Sequence, residues 1–319
     1  MQITVYRGED IVGDPAAPLP ALLERDGQAL WVTLDRARPE DLQTLSDVFH
    51  FHPLAVEDAQ KTGQRAKIEA YDDTLFLTVH AARHNHGARL ILEEVDIFFR
   101  GRAVVTVSAS GAAALEEARA RLARAPGRLR RSADFVLYTI LDAVVDTYFP
   151  VLDRVEEHIE RLEDQLFRRP TARALSQIFR VKHALLVARR HVVPLRDTLN
   201  VLMRRETALV TEAVVLYFRD IYDHVLRITD EIDTHRDLIA GAMEIYLTLI
   251  SNRLNEVMKV LTVITAIFAL ATVITGIYGM NFTAPFPSFD WPYGFWIILG
   301  TMGVLAAGML LLFRRAGWL

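Results

Sequence analysis

Residues 252–282 read NRLNEVMKVLTVITAIFALATVITGIYGMNF, and the architecture turns on them. The stretch enters as a charged helix, loses every charge after Lys259 and stops at Tyr278-Gly279-Met280-Asn281. Between Val260 and Tyr278 the only ionisable group is the tyrosine phenol, and the run is long enough to cross a bilayer as a helix. A second apolar run, Trp291 to Phe313, follows a short loop. Everything upstream reads as a soluble apparatus serving this hairpin of spans in the lipid bilayer.

Charge sets the orientation. Arg253 and Lys259 precede the first run, and Arg314 and Arg315 follow the second. The loop from Thr283 to Trp291 has no Lys or Arg, and Asp290 is its one acid. Both ends of the chain are therefore expected in the cytoplasm. Tyr278, Trp291, Tyr293 and Trp296 sit where an interfacial aromatic belt belongs.

The 319 residues have room for about two domains. With 51% hydrophobic and 24% charged residues, the mixture fits a soluble part joined to a small membrane part and is too polar for a many-span carrier. The net charge of −4 gives no global pointer to nucleic acid. The absence of cysteine excludes disulfides and thiolate metal sites. Arg7, Glu9, Asp10 and Asp14 precede any apolar run, so the first thirty residues do not read as a signal peptide, which keeps this part in the cytoplasm.

Residues 1 to about 130 read as mixed α/β. Ile3–Tyr6 and Leu30–Leu34 pattern as strands, Pro39–Phe49 as a helix with Asp35 as its upstream cap, and Leu75–His80 as an alternating strand. Leu90–Arg100 and Ala103–Val107 pattern as a hairpin around Gly101. Ala112–Arg124 is an Ala-rich helix stopped by Pro126-Gly127. Beyond it strand signals vanish. One helix is expected from Ala133 to Phe167, a second from Pro170-Thr171 to Arg205 with a bend at Pro194, and a third from Val210 to Gly279 without a strong breaker. The last would be roughly 100 Å long, which suggests a helix continuing from a cytoplasmic body into the membrane.

In the first span, Asn255, Thr262, Ala269 and Gly276 fall on one heptad line and Met258, Thr265, Thr272 and Gly279 on its neighbour. Val260, Ile264, Ile267, Phe268 and Ile274 take the opposite side. A stripe of small residues and threonines serves either close helix packing or a water-facing wall. Two spans cannot enclose a pore, so the second use demands an oligomer. The helix end at Gly279 would also aim unsatisfied carbonyls and a negative dipole at any axial cation. Neutral oxygens suit a hydrated Mg2+, which sheds water reluctantly. A divalent ion would gain about 4.6 kcal/mol per 100 mV of membrane potential.

The segment Tyr278-Gly279-Met280-Asn281-Phe282 resembles the CorA family of divalent-cation channels. Ser251-Asn252, Asn255–Thr262, Tyr217–His224 (YFRDIYDH), Asp142–Pro150 and Pro53–Tyr71 also resemble family segments, so the likeness covers essentially the whole chain. The resemblance implies an α+β homopentamer. Its parts would be a cytoplasmic α/β domain (1–130), a helical funnel (131–257), a pore-lining span (258–281), an outer loop (282–292), a second span (293–313) and a basic tail (314–319). It implies an outer selectivity site at Gly279, Met280 and Asn281, with Asn255, Met258, Leu261, Thr265 and Thr272 lining the pore. Asp58 and Glu244 match acidic positions where regulatory Mg2+ bridges subunits and favours the closed state. Transported Mg2+, with Co2+ and Ni2+, follows, with no organic cofactor, no nucleic-acid partner and an inner-membrane location. The chain departs from the family in its outer loop, TAPFPSFDWP, where many relatives carry Met-Pro-Glu. Its basic tail is also shorter, and it has Glu at 244 where Asp is common.

Plainer readings stand beside these. Asn281 could be a helix C-cap, and Asp58 and Glu244 ordinary surface acids. His80, His84 and His86 form a possible transition-metal cluster, but a turn at Asn85-His86-Gly87 makes them exposed turn histidines. Asp153, Glu156, Glu157, Glu160, Glu163 and Asp164 share a helix with Arg154 and Arg161 and read as a solvated face. Arg119, Arg121, Arg124, Arg128, Arg130 and Arg131 read as a solvated helix and turn. No phosphate loop, acid–base pair or nucleophile triad points to an enzyme. A Zn2+ transporter of a related branch and a membrane-anchored scaffold without flux are the rival functions.

Overall fold

The computed structural model describes residues 1–14, 17–36, 38–85, 89–109, 112–168, 170–204, 209–280 and 291–318. They form two compact units, Met1–Met243 and Glu244–Leu319.

The first unit begins with β1 (Gln2–Arg7), β2 (Asp10–Gly13), α1 (Leu19–Leu23), β3 (Ala29–Asp35), α2 (Pro39–Phe49) and α3 (Pro53–Gln60). β4 (Lys67–Tyr71), β5 (Thr74–Asn85), β6 (Arg89–Arg100) and β7 (Ala103–Ser108) follow. The helices are α4 (Ala113–Arg124), α5 (Gly127–Arg130), α6 (Ala133–Asp146), α7 (Phe149–Arg168), α8 (Ala172–Met203) and α9 (Glu212–Tyr278), which runs on into the second unit. The strands make one sheet, ordered β2-β1-β3-β7-β6-β5-β4. Among the described residues only the central β3–β7 pair is parallel.

Alternation along β3 divides two cores. Leu30, Val32 and Leu34 join Phe76, Phe98, Val105 and Val107 in a cluster closed by Leu42, Leu45 and Phe49 of α2 and Ala55, Val56 and Ala59 of α3. Trp31 points the other way, where the Arg119 guanidinium of α4 lies 4.5 Å from its ring centroid. α6 packs on β3, β5 and β7 from that side. The sheet is thus covered on both faces, which explains why β7 is buried at all six positions.

The strands and helices expected before Arg124 are present. β2, β4, α1, α3 and α5 add to them, being short elements that lack a clean period. The N-cap position of α2 is Arg38, whose side chain makes no capping hydrogen bond. The single helix expected from Ala133 to Phe167 is two, broken at Thr147-Tyr148. Pro150 has no N–H to give the Asp146 carbonyl, and its ring would crowd that oxygen. The Thr147 hydroxyl bonds the Val144 carbonyl and accepts from the Ala82 N–H, while Tyr148 donates its hydroxyl to the His80 carbonyl. α8 continues through Pro194, and the Thr171 hydroxyl caps it by accepting from the Ala174 N–H.

The arginines read as solvated divide. Arg124, Arg128 and Arg131 are exposed. Arg130 is buried and donates to the Gly8, Glu9 and Ala123 carbonyls and to the Glu9 carboxylate. Gly127 lets the turn at Gly8-Glu9 approach: a Cβ there would lie 2.7 Å from the Gly8 carbonyl carbon. Arg119 bonds Thr4 and Thr33, and Arg121 bridges Asp142 and Asp146. These three depart from a solvated face for one reason: a guanidinium can satisfy several buried acceptors at once.

The second unit holds the end of α9 and α10 (Gly294–Arg315). Residues 281–290 lie outside the described residues.

Candidate functional site

α9 is one helix of 67 residues, with no break at the foot of its apolar run. Ile267, Leu270, Ala271 and Ile274 line an apolar crevice together with Leu299, Met302, Gly303 and Ala306 of α10. Counting about 100° per residue, Thr265, Ala269, Thr272 and Gly276 lie on the opposite side of α9. Asn255, Met258, Leu261, Thr265 and Thr272 are all exposed in the single chain. The small and polar stripe is therefore not used by the chain's own second helix. Of the apolar side, Ile267 and Ile274 meet α10's crevice, whereas Val260, Ile264 and Phe268 remain exposed.

Three threonines of this segment, Thr262, Thr272 and Thr275, give their protons to the helix. Thr262 donates to the Met258 carbonyl and Thr272 to the Phe268 carbonyl, each at 2.8 Å. Their hydroxyl oxygens keep lone pairs for water or a hydrated cation. The helix closes when Gly279 N–H reaches the Thr275 and Gly276 carbonyls and Met280 N–H reaches Ile277. A Cβ at Gly279 would come within 3.3 Å of the Thr275 carbonyl oxygen, so the glycine fits the tight ending. Asn281 lies outside the described residues, as does Asp290 of the outer loop.

Asp58 belongs to the first unit and Glu244 to the second. Glu244 is exposed on α9. Asp58, near the end of α3, accepts from the Gln64 amide at 3.2 Å and from the Lys67 ammonium. That ammonium also donates to Glu69 at 2.8 Å.

A second group carries no assignment from the sequence. Asp142 of α6 meets Asp220 and His224 of α9, with one ligand atom from each lying within 4.8 Å of the others. Carboxylates suit hard divalent cations and imidazole suits later transition metals, so the set could hold a divalent ion. Arg121 bonds Asp142 at 2.6 Å, and His224 Nδ1 lies 3.5 Å from Asp146. Burial, reinforced by Asp146, raises the Asp142 pKa against the pull of Arg121. The spacing Asp220 to His224 puts both on one helix face. That spacing within YFRDIYDH was the available signal.

The comparisons with known proteins bear on the chain as a whole. The model of the CorA-like Mg2+ transporter protein family matches residues 26–315. The chain belongs to the CorA family. It is 34% identical over 292 residues to the cobalt/magnesium transport protein CorA of Thermotoga maritima, covering 91% of this chain and 83% of that one. It is 26% identical over 296 residues to the Methanocaldococcus jannaschii protein of the same name, covering 92% of both. The complete structure of the CorA magnesium transporter from Methanocaldococcus jannaschii superposes with a TM-score of 0.85, covering 99% of this chain and 98% of that one at 24% identity. Full-length CmaX superposes at 0.76 with 21% identity, covering 100% of this chain and 98% of that one. This CorA-family chain is a divalent-cation transporter and belongs to no catalytic family indicated by these matches.

The histidine reading needs correction. His80 is buried, not an exposed turn residue: it faces Glu94 across β5–β6 and meets the His191 ring edge-on at 4.3 Å. The strand runs five residues past the expected end, which takes His80 into the core side of the sheet. Glu94 also pairs with Arg36 at 3.2 Å, and Arg36 pairs with Asp96. Burial works against the Glu94 charge, but His80, Arg36 and the Gly63 N–H outweigh it and lower its pKa. The expected turn at Asn85-His86-Gly87 includes residues 86 and 87, outside those described. Asp153, Glu156, Glu157, Glu160 and Asp164 are exposed on α7, as a solvated face should be.

Proposed function

We propose that this chain is the subunit of a passive Mg2+ channel that also passes Co2+ and Ni2+ and is closed by Mg2+ on the cytoplasmic side. The observation carrying the reading is the exposed oxygen-bearing stripe of α9, which lies opposite the face directed at α10. Such a stripe is costly against lipid and useful against water, and one chain cannot surround water with it. A homopentamer in the cell inner membrane, with both termini cytoplasmic, turns five stripes toward one axis. α9 lines the pore and α10 rings it.

Asn281, Gly279 and Met280 form the outer selectivity site, where amide and carbonyl oxygens hold a hydrated ion. Asn255, Thr265 and Thr272 continue the polar path, and Met258 and Leu261 narrow it. Asp58 and Glu244 of neighbouring subunits take a regulatory Mg2+: two carboxylates repel when empty and are joined when the ion is bound. The membrane potential supplies the driving force.

The test is ion flux in proteoliposomes with Mg2+, Co2+, Ni2+ and Zn2+ in turn. Asn281→Ala should abolish Mg2+ flux, a loss of more than about tenfold for removal of a ligating side chain, while leaving assembly intact by gel filtration. Retained flux removes Asn281 from the site. Zn2+ flux without Mg2+ flux replaces the reading with a Zn2+ transporter, and no flux of any ion leaves a scaffold.

A further inference from the structure

The Asp58 carboxylate is already engaged. Gln64 donates to one oxygen at 3.2 Å and the Lys67 ammonium occupies the other. This is not a chance meeting of two mobile surface chains. Arg36 donates to the Ala59 carbonyl and so fixes the end of α3. Glu94, its side chain only 7% exposed, accepts from the Gly63 and Gln64 N–H groups at 2.7 and 3.0 Å and fixes the following loop. Lys67 then opens β4, with its ammonium 5.6 Å from the Phe76 ring centroid and its side chain only 26% exposed. The scaffold thus presents a positive charge to Asp58 at a set place. It also supplies a second acceptor, Glu69, 2.8 Å from the same ammonium.

We propose that Lys67 is a tethered cation that competes with Mg2+ for Asp58 and so sets the concentration at which the regulatory site fills. This rests on the reading of Asp58 as a Mg2+ ligand. With Mg2+ scarce, the ammonium neutralises the carboxylate and lessens its repulsion of other acids. When Mg2+ arrives, the carboxylate exchanges one cation for another. Lys67 stays on Glu69, so the displaced ammonium keeps a partner. The built-in rival makes the sensor weaker than its carboxylates alone would be, as a reporter of millimolar ion needs.

The experiment titrates Mg2+ against the full-length protein in nanodiscs, reading protection of the cytoplasmic part from chymotrypsin, which does not cut at lysine. Lys67→Gln should lower the Mg2+ midpoint about three- to tenfold. Lys67→Arg should keep it within about twofold, and so should Lys61→Gln, which removes an equal charge paired to Glu57 rather than Asp58. Asp58→Ala should raise the midpoint, and adding Lys67→Gln to it should change nothing further. If Asp58→Ala leaves the midpoint unmoved, the Asp58 reading itself fails. If Asp58→Ala moves it but Lys67→Gln does not, the competition is overturned and the reading stands. The competition is likewise overturned if Lys67→Arg or Lys61→Gln shifts the midpoint as much as Lys67→Gln, or if the shift persists without Asp58.

Discussion

Three stretches among the described residues have the length and apolarity to cross a membrane, and they fall into two regions that use that surface in opposite ways. In Ala133–Arg168, 67% of the most apolar window is buried inside the chain. In Glu212–Tyr278 the share is 6%, and in Gly294–Arg315 it is zero. α6 finds its partners within the first unit, on the sheet and on α4. The spans find few within their own chain. Apolar surface of that extent needs a cover, and for the apolar helices of a membrane transporter the bilayer supplies one. Hydropathy therefore measures a capacity for burial, and the surroundings decide what does the burying.

The acids of α6 mark the difference. Asp134 accepts from the Phe135 and Thr211 N–H groups and the Thr211 hydroxyl, and Asp142 and Asp146 share Arg121. Each has a partner supplied by folded protein, which lipid could not provide. The run from Val260 to Tyr278 carries no such group.

Truncation should separate the two regions most strongly. Leu137 on α6 is fully buried, whereas Leu311 on α10 is 63% exposed. Leu137→Ala should cost about 2–5 kcal/mol, a transfer loss plus a cavity. Leu311→Ala should stay within about 0.5 kcal/mol in detergent, where micelle replaces micelle. Thermal unfolding of the purified variants measures both. Equal losses would mean that α10 is packed as α6 is, and the contrast would fall.

A smaller effect should appear with pH, and only in the first unit. Asp96 is fully buried beside Arg36 and Thr78. Burial pushes its carboxyl up to about 7, although Thr78 and Arg36 favour the charged form. An unfolded aspartate titrates near about 3.9. Between those values the folded state holds a proton that the unfolded state has lost, so stability falls as pH rises. His191 pulls the other way: burial lowers its pKa despite the Val187 carbonyl, so its contribution rises with pH near neutrality. The readout is therefore wild type against Asp96→Asn. Their stability difference should shrink by about 1–2 kcal/mol from pH 5.5 to 7.5. A flat or rising difference would show Asp96 ionised throughout, held by Arg36.

Much of this was legible in the sequence, and unevenly so. β1, β3, β5, β6, β7, α2, α4 and the long α9 follow from period and punctuation: Pro39 opens one helix and Pro126-Gly127 closes another. β4 was not, because Lys67, Glu69 and Tyr71 are partnered polar groups that hide the alternation. The break after Asp146 has a local cause in Pro150, but the bonds that hold it, from Thr147 and Tyr148 to Ala82 and His80, join residues more than sixty positions apart that no local pattern contains. The stripe on α9 was visible, but its relation to α10 required the two helices together. The Asp142–Asp220–His224 group needed α6 beside α9.

The smallest effect tests the contrast from the other side, because α7 shows that exposure alone does not make a membrane face. Arg161 and Glu157 sit one turn apart, both about two-thirds exposed, with their charged atoms 3.7 Å apart. Water already solvates such a pair, and holding two long side chains costs rotamer freedom. Arg161→Ala should therefore change stability by less than about 0.5 kcal/mol. Screening at high salt should erase even that, since the Debye length falls to about 3 Å at 1 M. Urea unfolding at low and high salt measures it. A larger, salt-resistant loss would place Arg161 against a neighbouring subunit, so that α7 would owe its surface to assembly rather than to water.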